Sequence, residues 1–235
     1  MQQILNKVTK YSIYVLVFTV PLFFLPFSFE AFEYNKQYLI FFLVSLGFFA
    51  WLAKQVVYDK EIRFKTSPLD LFVLGFLAIA VLSAIFSVDK SSSLFGFYGR
   101  FSNGLIGLLS LGTLYFLITN NVGKSQIPAR NASHSDAGVQ IPKLLNLFLW
   151  SSFFAVLAAY FSIFGLWQKI GGFLSLPQVM LQSTFNPVSG SLEGLAVFLA
   201  MVLVLLTGLS LVRKGKNIWH WLLSLAILSL IVMID

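Results

Sequence analysis

The sequence predicts an all-α, polytopic transmembrane helical bundle of about seven helices with a cytoplasmic N-terminus. Three observations predict it. Of the 235 residues, 58% are apolar and 11% charged, against about 25% charged in an ordinary soluble domain. The apolar residues gather into runs close to the length that crosses a bilayer. Lys and Arg divide unevenly between alternate connecting segments. Backbone in hydrocarbon must satisfy its own hydrogen bonds, and no barrel-type alternation occurs, so the runs read as helices. The same composition excludes a soluble globular domain and a disordered chain. The absence of cysteine excludes a disulfide scaffold and a Cys-ligated metal site.

The runs fall at approximately 11–29, 37–57, 69–88, 104–119, 144–167, 192–212 and 218–233, within one transmembrane domain over 1–235. The first follows Lys7 and Lys10, as a signal peptide would. It ends in Phe27-Ser28-Phe29-Glu30, without a small-x-small cleavage site, so it reads as a retained helix. Pro21 and Pro26 are expected to kink or end it. Asp70 reads as a boundary residue at the cytoplasmic edge of the third helix, beside the N-terminal dipole. The segment 120–143 is polar and is expected to be a flexible cytoplasmic loop. Asn131-Ala132-Ser133 within it matches a glycosylation pattern, on the wrong predicted side for that modification. Ala155, Ala159 and Ser162 in the fifth run, and Ala196 and Ala200 in the sixth, have the spacing that lets helices approach closely. The seventh run covers only about 24 Å of a roughly 30 Å hydrocarbon core, and Asp235 ends the sequence right after it. The expectation is the N-terminal part of a longer protein.

Orientation follows from the charge count. Lys7, Lys10, Lys54, Lys60, Arg63, Lys65, Lys124, Arg130, Lys143, Arg213, Lys214 and Lys216 share one predicted side. Lys36, Lys90, Arg100 and Lys169 share the other. Twelve against four puts the first side in the cytoplasm. The net charge of +7 therefore reports orientation. No basic stripe interleaved with aromatics occurs, so no nucleic-acid partner is expected.

The predicted helix interiors hold almost no ionisable group, which excludes a proton pump with a buried carboxylate chain and an arginine voltage sensor. His134 and His220 have no partner at metal-ligand spacing. Trp219-His220-Trp221 reads as an interfacial anchor. There is no Walker loop, no HExxH and no Asp-x-Asp pair, so neither a metal nor a cofactor is expected. The outer loops remain. The most distinctive runs Ser87-Val88-Asp89-Lys90-Ser91-Ser92-Ser93-Leu94-Phe95-Gly96-Phe97-Tyr98-Gly99-Arg100-Phe101-Ser102-Asn103-Gly104-Leu105. Gly96, Gly99 and Gly104 permit tight turns and close backbone approach. An Arg at position 100 suits bidentate phosphate binding; pairing with a lipid headgroup or with Asp89 are the alternatives. Lys36 and Lys169 are further outer-face cations. Glu193 reads first as a complement to a helix N-terminus, with an acid/base role as the alternative.

Three stretches give the chain a family resemblance. They are Tyr34-Asn35-Lys36-Gln37-Tyr38, the Ser-Val-Asp-Lys to Gly-Leu stretch just quoted, and Ser183-Thr184-Phe185-Asn186-Pro187. Together they resemble the N-terminal half of the O-antigen ligase and O-antigen polymerase family of bacterial envelope proteins. The third stretch departs from that family's pattern: a Gly between Phe185 and Asn186 is missing, and Val188 stands where a second Asn is usual. The resemblance implies a multi-pass protein of the bacterial cytoplasmic (inner) membrane. It implies transfer of a glycan from a polyprenyl-pyrophosphate carrier to a glycan, lipid or protein acceptor at the outer face, without nucleotide, metal or other cofactor. Arg100, then Lys36 and Lys169, are the pyrophosphate-contacting residues it implies. The catalytic residues would lie beyond Asp235, so this length is expected to be inactive alone. The competing expectations are a transporter or flippase of a lipid-linked substrate, which an internal repeat would mark, and a non-catalytic membrane subunit.

Overall fold

A computed structural model describes residues 1–28, 30–60, 64–97, 101–122, 139–174 and 177–212, together with 222–224, 226–228 and 230. Its elements are helical. They are α1 (Gln2–Thr19), α2 (Glu33–Lys54), a π turn (Gln55–Asp59), α3 (Asp70–Ile85), α4 (Lys90–Phe95), a 3-10 turn (Phe101–Asn103) and α5 (Leu105–Asn121). Then follow α6 (Ile141–Ile163), α7 (Leu166–Leu174), a second 3-10 turn (Gln178–Leu181) and α8 (Leu192–Val212). Val122 and Val139 form an isolated bridge, and no strand occurs among the described residues. Among the described residues, three helices are long and apolar enough to cross a membrane: Glu33–Tyr58, Ile141–Ile163 and Leu192–Leu211. α3 and α5 are apolar but shorter. Of the expected helix at 218–233, the described residues 222–224, 226–228 and 230 are helical. The segment 123–138 of the expected polar loop lies outside the described residues.

α1 begins well ahead of the apolar run at 11–29 and stops earlier. It begins early because its first turns already carry a buried stripe: Thr9, Ser12, Ile13 and Leu16 recur at the spacing of one helix face. It stops at Thr19 because Pro21 has no N–H to offer the carbonyl four residues back, and its ring excludes a further turn. Leu22 and Phe23 donate instead to the Thr19 carbonyl at 3.0 and 2.8 Å. The Phe18 carbonyl accepts from Ser151 Oγ of α6 at 2.7 Å.

Two further expectations are revised. The run at 144–167 does not form one helix: α6 ends at Ile163, Gly165 takes φ +65°, and α7 starts anew. That left-handed conformation suits glycine and breaks the helical path. In α8 the buried positions are Leu195, Leu199, Val202 and Leu206, a spacing of four and three that aligns them along one seam. Ala196 is half-buried and Ala200 exposed, so this pair does not lie at that contact. In α6, Ala155, Ala159 and Ser162 are all buried.

The chain forms two compact units. Unit 1 comprises Met1–Val17 and Glu33–Leu147. Its core gathers Ile13, Tyr14, Trp51, Leu117 and Val139, with Phe48 and Leu52 against them. Gly47 lets three helices meet: a Cβ there would lie 2.9 Å from Leu117 Cδ2 and 3.4 Å from Ser12 Cβ. α3 leans on α5 where Leu77 packs over Gly112. At one end of α3 and α5, Asp70 accepts from Tyr115 Oη at 2.9 Å and from the Ser67 amide at 2.7 Å. At the same end of α5, Lys65 reaches Asn120 Oδ1 through its amide at 2.8 Å and the Val122 carbonyl through Nζ at 3.0 Å. The start of α2 meets the turn before α5 at the opposite end. α2, α3 and α5 thus run alternately up and down within this unit.

Unit 2 comprises Phe18–Phe32 and Phe148–Asp235. Leu149, Val156 and Ala159 of α6 pack against the α8 seam and against Leu223, Ile227 and Leu230. Tyr160 Oη donates to the Ala226 carbonyl at 2.8 Å. Before α8, Phe185 packs edge-on to Phe24 and Trp167 at centroid distances of 5.1 and 6.1 Å.

Candidate functional site

The segment between α3 and α5 contains the most distinctive sequence of the chain, and its fold follows from a few local devices. Asp89 caps α4: Oδ1 accepts from the Ser91 and Ser92 amides at 3.1 and 3.2 Å, and Oδ2 from Ser92 Oγ at 2.5 Å. A side-chain acceptor at this position satisfies amides that a helix start leaves unpaired. These donors, the Ser92 hydroxyl foremost, hold the Asp89 carboxyl below its ordinary value. α4 ends at Gly96, whose φ of +79° turns the chain away. Gly104 then brings the chain back, backbone against backbone. A Cβ on Gly104 would collide with the Gly96 nitrogen and with the Phe95 and Leu94 main chain. The end of α4 and the residue before α5 therefore meet at one narrow neck.

α2 braces the 3-10 turn that precedes α5. The Glu33 carboxylate, in the first turn of α2, accepts from the Ser102 hydroxyl and, at 3.4 Å, from the Ser102 amide. Tyr34 packs edge-on against Phe101 at 5.0 Å between centroids and lies 4.6 Å from Tyr38. The Tyr34 hydroxyl donates to that of Tyr38 at 3.3 Å.

Between these elements lies a cavity of about 360 Å³. α2 lines it with Tyr34, Gln37, Tyr38 and Phe41; α4 supplies Phe95, the 3-10 turn Phe101, and α5 Ile106 and Gly107. Its walls are therefore largely aromatic, and no Lys, Arg, Asp or Glu is among these lining residues. Gln37 Nε2 is buried there and has no hydrogen-bond partner among the described residues. Gly107 makes room for that amide: a Cβ at 107 would lie 2.9 Å from Nε2. A smaller recess of about 230 Å³ lies nearby between Ala84 and Ile85 of α3, Lys90 and Leu94 of α4, and Leu105 of α5. Exposed Lys90 stands at this second recess.

The structure thus brings together the stretches 34–38 and 87–105, two of the three that carry the family resemblance. The named cations fare differently. Arg100 lies outside the described residues, as do Tyr98 and Gly99. Lys36 is half-buried and does not line the cavity; the period of 3.6 puts it across α2 from Tyr34, Gln37, Tyr38 and Phe41. Lys169 is exposed on α7 in unit 2. The alternative pairing for Arg100, with Asp89, would have to share a carboxylate that already accepts three hydrogen bonds.

The third stretch builds a turn. Asn186 is fully buried; its Nδ2 donates to the Thr184 and Ser191 carbonyls at 3.3 and 3.2 Å, and its Oδ1 accepts from the Ser189 amide at 3.0 Å. Ser191 Oγ accepts from the Gly194 amide at 3.2 Å, at the start of α8. Glu193 is exposed in the first turn of α8.

Glu33, Gln37 and Lys90 are site residues that the sequence reading did not nominate. Glu33 and Gln37 stand four residues apart on α2, which puts them on one helix face, but no motif in the sequence marks either. Among the described residues no group of three or more His, Asp or Glu is placed to hold a metal ion, and His134 and His220 lie outside them. No protein-family model, no curated protein and no solved structure matches this chain.

Proposed function

We propose that this chain is a multi-pass protein of the bacterial cytoplasmic membrane, an about seven-helix bundle with its N-terminus in the cytoplasm. Its work would be that of a glycan ligase or polymerase. The donor is a glycan carried on polyprenyl pyrophosphate, and the acceptor a glycan, lipid or protein at the outer face. A hydroxyl or amide of the acceptor attacks the anomeric carbon and gives up its proton. The bond from that carbon to the pyrophosphate oxygen breaks, and the carrier leaves with the electron pair. Negative charge grows on the pyrophosphate, so fixed cations are the groups that accelerate the step.

One observation carries this reading. Two stretches that resemble the O-antigen ligase and polymerase family, separated in the chain by all of α3, converge on one aromatic cavity, and Arg100 directly precedes its wall residue Phe101 in the sequence. An aromatic recess suits a prenyl chain, and Arg100 is the residue assigned to the pyrophosphate. Lys36 and Lys169 are its further candidate cations. The exposed apolar surface supports the bilayer as solvent: Leu71, Phe72, Phe76, Ile79 and Phe86 are each more than half exposed, a patch beyond what soluble monomers leave uncovered.

Photo-crosslinking tests the reading. The chain in lipid nanodiscs is irradiated with a polyprenyl-pyrophosphate-linked glycan bearing a diazirine in its first isoprene units. Labelled peptides are expected from 34–41 and 95–107. Labelling confined to α3 and the outer surface of α8 overturns it. Arg100→Ala is expected to weaken labelling at least tenfold; unchanged labelling removes Arg100 from the site.

A further inference from the structure

We propose that Gln37 is the selectivity residue of the aromatic cavity, and that its amide donates to the oxygen joining the first isoprene unit of the carrier to phosphorus. The proposal rests on the donor reading above and goes beyond it in naming the atom that is recognised and the residue that recognises it.

The argument starts from an unpaired donor. A buried amide nitrogen without an acceptor is destabilising, because it has lost water and gained nothing. Gln37 Nε2 is in that position. The nearby hydroxyls are engaged with each other, Tyr34 donating to Tyr38. Glu33, the nearest carboxylate along α2, is engaged by Ser102. The room that Nε2 occupies exists because residue 107 has no side chain. A bound molecule that brings one acceptor oxygen would complete this arrangement.

The walls say what else that molecule is. Phe41, Phe95 and Phe101 with the two tyrosine rings suit an unsaturated, methyl-branched chain. Among the described residues no charged side chain lines the cavity, so these walls offer a phosphate group no counter-charge. The acceptor at Gln37 is therefore an uncharged oxygen at the junction of chain and head. In a prenyl pyrophosphate that is the ester oxygen between the first carbon and phosphorus. An ester oxygen held at Gln37 leaves the two phosphates beyond these aromatic walls.

The test compares two probes that differ in that one atom. Geranylgeranyl pyrophosphate is titrated against its phosphonate analogue, in which CH2 replaces the bridging oxygen. The protein is the full chain in phosphatidylcholine nanodiscs, and binding is read by displacement of a radiolabelled prenyl pyrophosphate. The wild-type chain is expected to prefer the oxygen-bridged probe about tenfold, the worth of one hydrogen bond in a dry site. Gln37→Met, of similar shape but without a donor, is expected to bind both probes equally, at the level of the analogue. An equal affinity of the wild-type chain for both probes overturns the proposal without needing any variant. A tenfold preference that survives in Gln37→Met overturns it as well. Displacement of the label by phosphatidylglycerol as readily as by the prenyl probe makes the recess a general lipid-chain site and also overturns it. If neither probe binds the wild-type chain, the donor reading itself fails.

Discussion

Asn186 shows how one side chain can hold a turn without help from neighbouring elements. Its amide meets two carbonyls and one N–H, all within residues 184–191. Replacing it with alanine strands three buried backbone groups, and Asn186→Ala is expected to destabilise the chain by about 1–3 kcal/mol, read as a lower melting temperature in detergent. Asp89 is the contrasting case, fully at the surface. Its carboxyl is held below its ordinary 3.8 chiefly by the Ser92 hydroxyl. A depressed carboxyl stabilises the folded form above its ordinary value and loses that contribution as pH falls through the lowered one. The α4 cap is therefore expected to stay intact from neutral pH to near 3.8 and to fail below it. Hydrogen exchange at the Ser91 and Ser92 amides measures this, and in Asp89→Asn the pH dependence should vanish. At this scale the sequence was partly legible. Asp89 and Asn186 stood out inside distinctive stretches, but whether they serve a ligand or a turn depends on which donors surround them. Gln37 gave no signal, because a glutamine among tyrosines matches no motif and its lack of an acceptor is a property of the folded surroundings.

Elements were legible where length and apolarity decide them. α2, α6 and α8 fall on long apolar runs that compete with no other conformation. The errors came from elements decided otherwise. α1 extends through polar residues because a stripe, and not uniform apolarity, buries it. α4 is six residues long and exists because Asp89 caps it and Gly96 ends it. α7 is separated from α6 by one left-handed glycine. Glycines also separate two kinds of element contact that composition cannot distinguish. Gly75 on α3 has nothing within 4 Å of an added Cβ, whereas at Gly104 that Cβ meets main chain. Gly75→Ala is expected to leave stability unchanged or raise it slightly. Gly104→Ala is expected to lower it by about 1–3 kcal/mol or more, since backbone must move. Paired thermal melts of the two variants decide the matter: equal melts refute the close contact at the α4–α5 corner.

For the molecule as a whole, the alternation of α2, α3 and α5 within unit 1 puts the Lys65 region and the Asp89–Ser102 region at opposite ends. The charge count assigns the first to the cytoplasm and the second to the outer face. The chain has no cysteine, so single reporters can be introduced on a silent background. Ser91→Cys is expected to react with a membrane-impermeant maleimide added to intact spheroplasts, and Thr66→Cys only after lysis. The reverse pattern would invert the expected topology and place the cavity on the face opposite to the one the proposed transfer requires. The all-helical class and the presence of membrane-length apolar helices were readable beforehand, because run length and apolarity add up over many residues and tolerate local errors. The convergence of 34–38 with 95–107 was not, because it depends on which helices touch.

The neck formed by Gly96 and Gly104 has a practical corollary. Because Gly96 and Gly104 are pressed main chain to main chain, the end of α4 and the start of α5 keep one fixed register, and a side chain added at position 104 would displace both helix ends together.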